Sequence, residues 1–306
     1  MSCNRRRFLQ ASAHASLGGS LLSTFGFAQS AATAWTELGA GLALVQGFGG
    51  AVLVSSGSDG VALVDGGSSE RSAALLDLVR DRTGTVPTLL FNTHCHRAQV
   101  GSNEVLGKSG ARIVAHENTK LWLGTEIISK WEKVTYPPLP NDALPNTTFY
   151  DGEQTLTFNE EIHYALLPQA HTDGDIYVHF PARNVLMAGD VASLAYPLLD
   201  YSTNGWIGGM VNGINTLIAL CDDATRIITS SGTELRKPQL QEQADMLYAM
   251  IDKIGTHYYA GGSLAEFLAS KPSADFDARW GDPTLFLTTA YESAWGHVTE
   301  VRRFRR

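Results

Sequence analysis

The tightest constraint on how this chain can fold is the segment Phe91-Asn92-Thr93-His94-Cys95-His96. It follows an apolar run over 86–90 that reads as a buried strand, and it leads into a helix-forming stretch. Side chains of an extended chain alternate between two faces, so His94 and His96 point the same way. Their imidazoles can converge on one metal ion. An isolated His-x-His pair would more often be two surface histidines on a turn, so the weight falls on what lies downstream. Cys95, between them, should turn away from any metal and act as a small buried filler.

Three further stretches share this layout. Leu63-Val64-Asp65-Gly66-Gly67 ends an early strand with a carboxylate in a glycine turn. Leu167-Pro168-Gln169-Ala170-His171-Thr172-Asp173-Gly174-Asp175 sets a histidine on a loop between strands. Val185-Leu186-Met187-Ala188-Gly189-Asp190 ends another strand in Gly-Asp. The surrounding pattern predicts a strand meander over 42–46, 51–55 and 61–64, a helix over 68–82 and a short helix over 102–108. A strand over 111–115 and a helix over 118–134 follow, then a proline-rich loop over 136–145. A second strand-rich run covers 154–158, 162–167, 175–180 and 185–188. Helices over 211–220 and 238–258 flank a strand over 226–229. Strands followed by helices, twice over, suit two halves packed sheet against sheet with helices outside.

In order and spacing the four stretches resemble the metallo-β-lactamase superfamily of metallohydrolases, from about Trp35 to the C-terminus. The resemblance implies an α/β (α+β) fold, a four-layer αββα sandwich, with metals in a groove along one edge of the sheets. It implies His94, His96 and His171 as ligands of a first metal and Asp190 as the bridging carboxylate. Asp65 becomes the aspartate that holds the histidine loop by hydrogen bonds, support that fixes ligand orientation. The departures concern a second metal. Its ligands in the family fall at Ala98, Gln99 and Ser231 here. Alanine has no donor, and an amide or hydroxyl is a poor zinc ligand beside imidazole or carboxylate. What remains is a donor set for one zinc, with iron as the alternative at the same imidazoles. Such a zinc can bring bound water to a pKa of about 7. Asp190 would either orient that water as base or take the fourth position itself. The function implied is hydrolysis of an ester, lactone, thioester or amide in a small-molecule substrate. The rival reading is a binding or structural protein that kept the scaffold and lost the reaction.

His116 reads as a satisfied structural histidine. Tyr136, Tyr201 and Trp206 fall in loops placed to wall the groove. The N-terminus reads separately. Asn4-Arg5-Arg6-Arg7-Phe8-Leu9-Gln10 and the weakly apolar stretch after it resemble a twin-arginine export signal over 1–30. Residues 31–306 then form the mature domain, in the periplasm or secreted. The chain carries a formal charge of −8, and losing the three arginines of the signal leaves the body more acidic still. That balance argues against nucleic acid or anionic lipid as a partner, and no later apolar run is long enough for a stable membrane anchor. Cys95 and Cys221 are expected as free thiols.

Overall fold

A computed structural model describes residues 33–301 and residue 304; the expected export signal lies outside them. From the N-terminal side come β1 (Ala34–Gly39), β2 (Leu42–Gln46), β3 (Val52–Gly57) and β4 (Gly60–Val64). Then follow α1 (Ser72–Thr83), β5 (Leu89–Phe91), α2 (Asn103–Lys108), β6 (Arg112–His116) and α3 (Glu117–Leu123). A hairpin of β7 (Ile127–Ser129) and β8 (Val134–Tyr136) precedes β9 (Thr147–Phe149). The second half holds β10 (Gln154–Phe158), β11 (Glu160–Leu166), β12 (Ile176–Phe180), β13 (Val185–Gly189), α4 (Ile207–Leu220), β14 (Arg226–Thr229) and β15 (Glu234–Leu235). It ends with α5 (Lys237–Tyr259), α6 (Leu264–Ala269), α7 (Asp277–Trp280), α8 (Thr284–Ala294) and α9 (Val298–Val301).

Among the described residues one sheet runs β1-β2-β3-β4-β5-β6-β9 and the other β10-β11-β12-β13-β14-β15. Strand alternation explains the layers. Ala62, Val64, Leu89 and Phe91 of the first sheet face Ile162, Val178, Met187 and Ile228 of the second, and these form the central core. The intervening Val61, Leu63 and Leu90 face outward onto Leu75 and Val79 of α1 and Leu106 of α2. On the far side Leu186 and Ile227 meet Ile214 and Leu217 of α4 and Leu247 and Ile251 of α5. The order is helix, sheet, sheet, helix, as expected. Each fully buried leucine, isoleucine or phenylalanine contributes about 1.5–3 kcal/mol relative to exposure, so the double core holds the sheet edges in place.

Several local expectations need correction. The helix expected over 118–134 stops at Leu123 with Gly124 as its cap, and the β-branched pairs Ile127-Ile128 and Val134-Thr135 form the hairpin instead. The strand expected from residue 86 begins only at Leu89, because Pro87 offers no N–H to the ladder. The helix α4 starts at Ile207 rather than Val211, since Ile207, Met210, Val211 and Ile214 bury one continuous face. No helix among the described residues is long and apolar enough to cross a membrane.

Candidate metal centre

The site sits where parallel strands end. Val64 of β4 lies opposite Phe91 of β5, so Asp65 and the histidine loop leave the first sheet side by side. Gly189 of β13 lies opposite Thr229 of β14, which brings Asp190 out of the second sheet. Ile176 N–H donates to Thr93 O at 2.8 Å and ties the two sheets together at this edge. Gly189 adopts φ +59°, and a Cβ there would meet Thr93 Cβ at 3.3 Å, so the turn into Asp190 favours glycine.

His94, His96, His171 and Asp190 come together, each offering a donor atom, and those atoms lie within 4.8 Å of one another. His94 Nε2 stands 3.2 Å from Asp190 Oδ2, and His171 Nε2 is 3.7 Å from the same oxygen. His171 Nε2 is also 3.2 Å from His96 Nδ1. The inward atoms are therefore Nε2 of His94 and His171 and Nδ1 of His96. His94 and His171 close the back of the cluster at 1 % exposure each, while His96 and Asp190 keep 24 % and 38 % of their side chains exposed on the open side.

Each outward ring nitrogen is held by a different partner. His94 Nδ1 lies 3.0 Å from Thr93 Oγ1, whose hydroxyl donates to Asp65 Oδ2 at 2.9 Å. Asp65 Oδ1 accepts the Thr93 N–H at 2.8 Å. His171 Nδ1 is 2.8 Å from Leu198 O, and His96 Nε2 is 2.9 Å from Asp200 Oδ2. A second aspartate–threonine lock stands on the His171 loop: Thr172 N–H and Oγ1 donate to Asp175 at 2.7 and 2.8 Å. The sequence does not single out Asp175 or Asp200. The only local signal for Asp200 is Asp-x-Ser-Thr, a turn-capping pattern, and Asp175 shares its loop with Asp173.

Burial pushes His94 down to about 4, helped by His96 and His171 against the pull of Asp190, so it is a neutral donor at neutral pH. Burial acts the same way on His96, but the hydrogen bond and charge of Asp200 carry it above its usual value. Asp190 is pushed up by burial, yet the three histidines hold it well below the usual carboxylate range. Burial likewise opposes the ionisation of Asp200, and His96 takes it down to about 2. Burial lifts Asp65 to about 8 against the hydrogen bonds of Thr93, and lifts Asp175 to about 7 against the charge of His171 and the hydrogen bonds of Thr172.

The donor set suits a metal ion. His94 Nε2 is buried, and the Asp190 Oδ2 that it faces at 3.2 Å stands outside hydrogen-bond geometry, which leaves the ring nitrogen's lone pair available to a cation. The loop's other positions do different work. Ala98 brings no donor, Gln99 Oε1 is buried without a hydrogen bond, and Ser231 Oγ lies 2.9 Å from Thr229 Oγ1 and 3.0 Å from Thr233 Oγ1. Arg97 reaches away to Pro137 O at 2.5 Å and lies over the Tyr136 ring, so it fastens the hairpin. Tyr201 lies under Lys130. Trp206 does not wall a groove: it is 4 % exposed and stacks on His297 at 4.1 Å within the helical layer. His116 is structural, with Nε2 2.8 Å from Tyr150 O and Nδ1 accepting from Asn118 N–H. Cys95 is buried with Val100 and Leu123, and it and Cys221 are free thiols.

The comparisons agree with this architecture. In structure the chain is similar to the sec-alkylsulfatase Pisa1 from Pseudomonas sp., with a TM-score of 0.67 and 16 % identity over 86 % of this chain and 50 % of that one. It is similar to the DIM-1 metallo-beta-lactamase at a TM-score of 0.56 and 16 % identity, covering 70 % and 96 %. The FIM-1 metallo-beta-lactamase from Pseudomonas aeruginosa, in its mono-zinc form, gives 0.56 and 14 %, covering 72 % and 96 %. At such identities these likenesses show the fold alone. No curated protein matches in sequence. The family model described as the metallo-beta-lactamase superfamily matches residues 45–244, from β2 into α5 and through all four donors, and the chain belongs to that superfamily.

Proposed function

We propose that the protein is an exported hydrolase working with one zinc ion, held by His94 Nε2, His96 Nδ1 and His171 Nε2, and that it cleaves an ester, lactone, thioester or amide. The observation that supports it most is the buried His94 Nε2, without a hydrogen bond, beside three other convergent donors. A zinc ion there supplies Lewis acidity, polarising a carbonyl oxygen and easing the ionisation of water near neutral pH. Iron is the alternative at the same imidazoles.

The chain's own residues set the rest. His94 and His171, buried, close the rear of the site, so substrate and water enter past His96 and Asp190. Asp190 Oδ2 faces both His94 and His171, and it can accept a hydrogen bond from the entering water and orient it. Ala98 and Gln99 provide no acid for the leaving group, which favours substrates whose leaving group departs unaided. Export through the arginine-rich N-terminus would place this activity in the periplasm or outside the cell.

Elemental analysis of protein recovered from the exported fraction should find stoichiometric zinc, and His96→Ala should lose metal and turnover together. A panel of esters, lactones, thioesters, lactams and alkyl sulfates tests the reaction. No stoichiometric transition metal, or full activity in His96→Ala, overturns the proposal. Tight binding without turnover by the metal-loaded protein would favour a binding role, the reading that Ala98, Gln99 and Ser231 support.

A further inference from the structure

His96 and His171 come from different sheets' loops, yet one short segment, 198–203, grips both. Leu198 O takes His171 Nδ1 at 2.8 Å, and Asp200 N–H donates to His171 O at 2.9 Å. The Asp200 carboxylate, 2 % exposed, faces His96. Its Oδ2 receives His96 Nε2 at 2.9 Å and Thr203 Oγ1 at 3.0 Å, while Oδ1 receives Ser202 N–H at 3.0 Å. Ser202 Oγ in turn accepts from Lys130 N–H at 3.0 Å, so the hairpin of β7 and β8 braces the segment from outside. Trp131 of that hairpin stands with its ring 6.4 Å from the His96 ring.

A carboxylate is acceptor-only. The ring nitrogen hydrogen-bonded to it, His96 Nε2, must carry the proton, and in a neutral imidazole the other nitrogen then holds the lone pair. For His96 that other atom is Nδ1, which lies 3.2 Å from His171 Nε2. We propose that Asp200 is the positioning residue of this site: it fixes His96 as the Nε2–H tautomer and so keeps the Nδ1 lone pair turned toward the other donors. Its consequence for metal binding rests on the function proposed above; the tautomer itself does not. Asp200 acts through His96 and touches no reacting atom.

The tautomer is read directly by long-range ¹H–¹⁵N NMR of the metal-free protein at mildly alkaline pH, in wild type and in Asp200→Asn. The wild type should show the His96 proton on Nε2. An asparagine that keeps its oxygen toward Ser202 N–H presents an NH₂ to His96, so the variant should move the proton toward Nδ1. Its zinc affinity, from competition with a chromophoric chelator, should fall ~10–100-fold, the usual effect of removing such a partner. A wild-type His96 protonated on Nδ1 overturns the proposal, and so does a folded variant with unchanged tautomer and unchanged zinc affinity. If Asp200→Asn does not fold, the wild-type spectrum still decides, and Thr203→Val, which removes one bond to Oδ2, should broaden the His96 resonances. If even the wild type binds no zinc, the proposed function fails while the tautomer comparison still tests Asp200.

Discussion

Replacing Asp65 by asparagine should separate folding from metal binding, because the substitution keeps the shape of the residue and reverses its hydrogen bonds. Asp65 is fully buried at φ +63°, a conformation asparagine tolerates. The Thr93 N–H, itself buried, needs an acceptor, so the amide oxygen stays opposite it at the present 2.8 Å contact. The amide NH₂ then faces Thr93 Oγ1, and that hydroxyl must turn its own proton to His94 Nδ1. The His94 proton moves to Nε2 and covers the inward lone pair. Stability should therefore change by only about 1 kcal/mol, one hydrogen bond exchanged for another, while zinc affinity falls ~10–100-fold. Asp65→Ala should behave differently. It leaves the Thr93 N–H unpaired and puts an alanine in the left-handed region, together about 2–5 kcal/mol. Protonating Asp65 does what the amide does, and burial lifts this carboxyl to about 8 in the metal-free protein. Wild-type zinc affinity should accordingly climb as pH rises through about 8, and the variant should lack that climb. Urea melts give the stabilities and chelator competition across that pH range gives the affinities. A folded Asp65→Asn protein binding zinc like wild type above this pH would refute the relay.

Three other outcomes follow from the same geometry. Trp206→Ala should cost about 3–5 kcal/mol by urea melt, since the ring is 4 % exposed and stacked on His297, and the folded variant should keep its zinc affinity. Gly205→Ala should weaken zinc binding without altering the His96 tautomer, because the added Cβ would lie 1.9 Å from His171 O and must displace that loop; metal titration and ¹⁵N spectra check both halves. The metal-free protein should lose stability toward alkaline pH. Asp175 and Asp65 keep their protons better folded than unfolded, so their contribution is full below the ordinary carboxylate range and is lost as pH rises through about 7 and about 8. Asp200 has the opposite sign, its contribution falling away only as pH drops toward about 2. Urea midpoints as a function of pH should peak in mild acid, and Asp65→Asn should flatten the alkaline limb.

What the sequence reveals of this molecule follows the range of the interactions involved. The sheets are legible because their strands are short apolar runs closed by glycine turns, as in Val61 to Val64 of β4 before Asp65-Gly66-Gly67. His94 and His96 do converge, but β5 ends at Phe91 and they face one site from a bend beyond it, with different ring nitrogens inward, rather than by the strand alternation expected. His171 and Asp190 are legible through motif order. Asp200 is not, because its partner His96 lies 104 residues away and its own neighbourhood reads as an ordinary turn cap. Segment 118–134 misleads for a related reason. Its apolar spacing fits a helix, but Ile127 and Ile128 find cross-strand partners in Tyr136 and Thr135, and that pairing overrides the local preference. The place of Trp206 depends on His297, from a C-terminal stretch with no strong periodicity.

The two sheets solve one problem in parallel. An imidazole that must present a lone pair needs its other nitrogen protonated and its loop held still. On the first sheet a buried aspartate grips both the N–H and the hydroxyl of Thr93, next to His94. On the second, Asp175 grips the same two groups of Thr172, next to His171. His96 has no such threonine beside it, since Cys95 and Arg97 point into the apolar cluster and toward the hairpin. Its support has to come from across the site, and Asp200 supplies it. Lone pairs brought this close repel one another unless a cation lies between them, so a fold that sets three imidazoles against a carbonyl, a hydroxyl and a carboxylate from separate elements is organised for a positive charge before one arrives. That division also predicts where the site yields first. The His96 arm depends on 198–203 and the hairpin rather than on a strand end, so disturbing the Lys130–Ser202 contact with Ser202→Ala should weaken zinc binding while leaving His94 and His171 in their wild-type tautomers. An equal disturbance of all three imidazoles in the ¹⁵N spectrum would show that the arms are not independent.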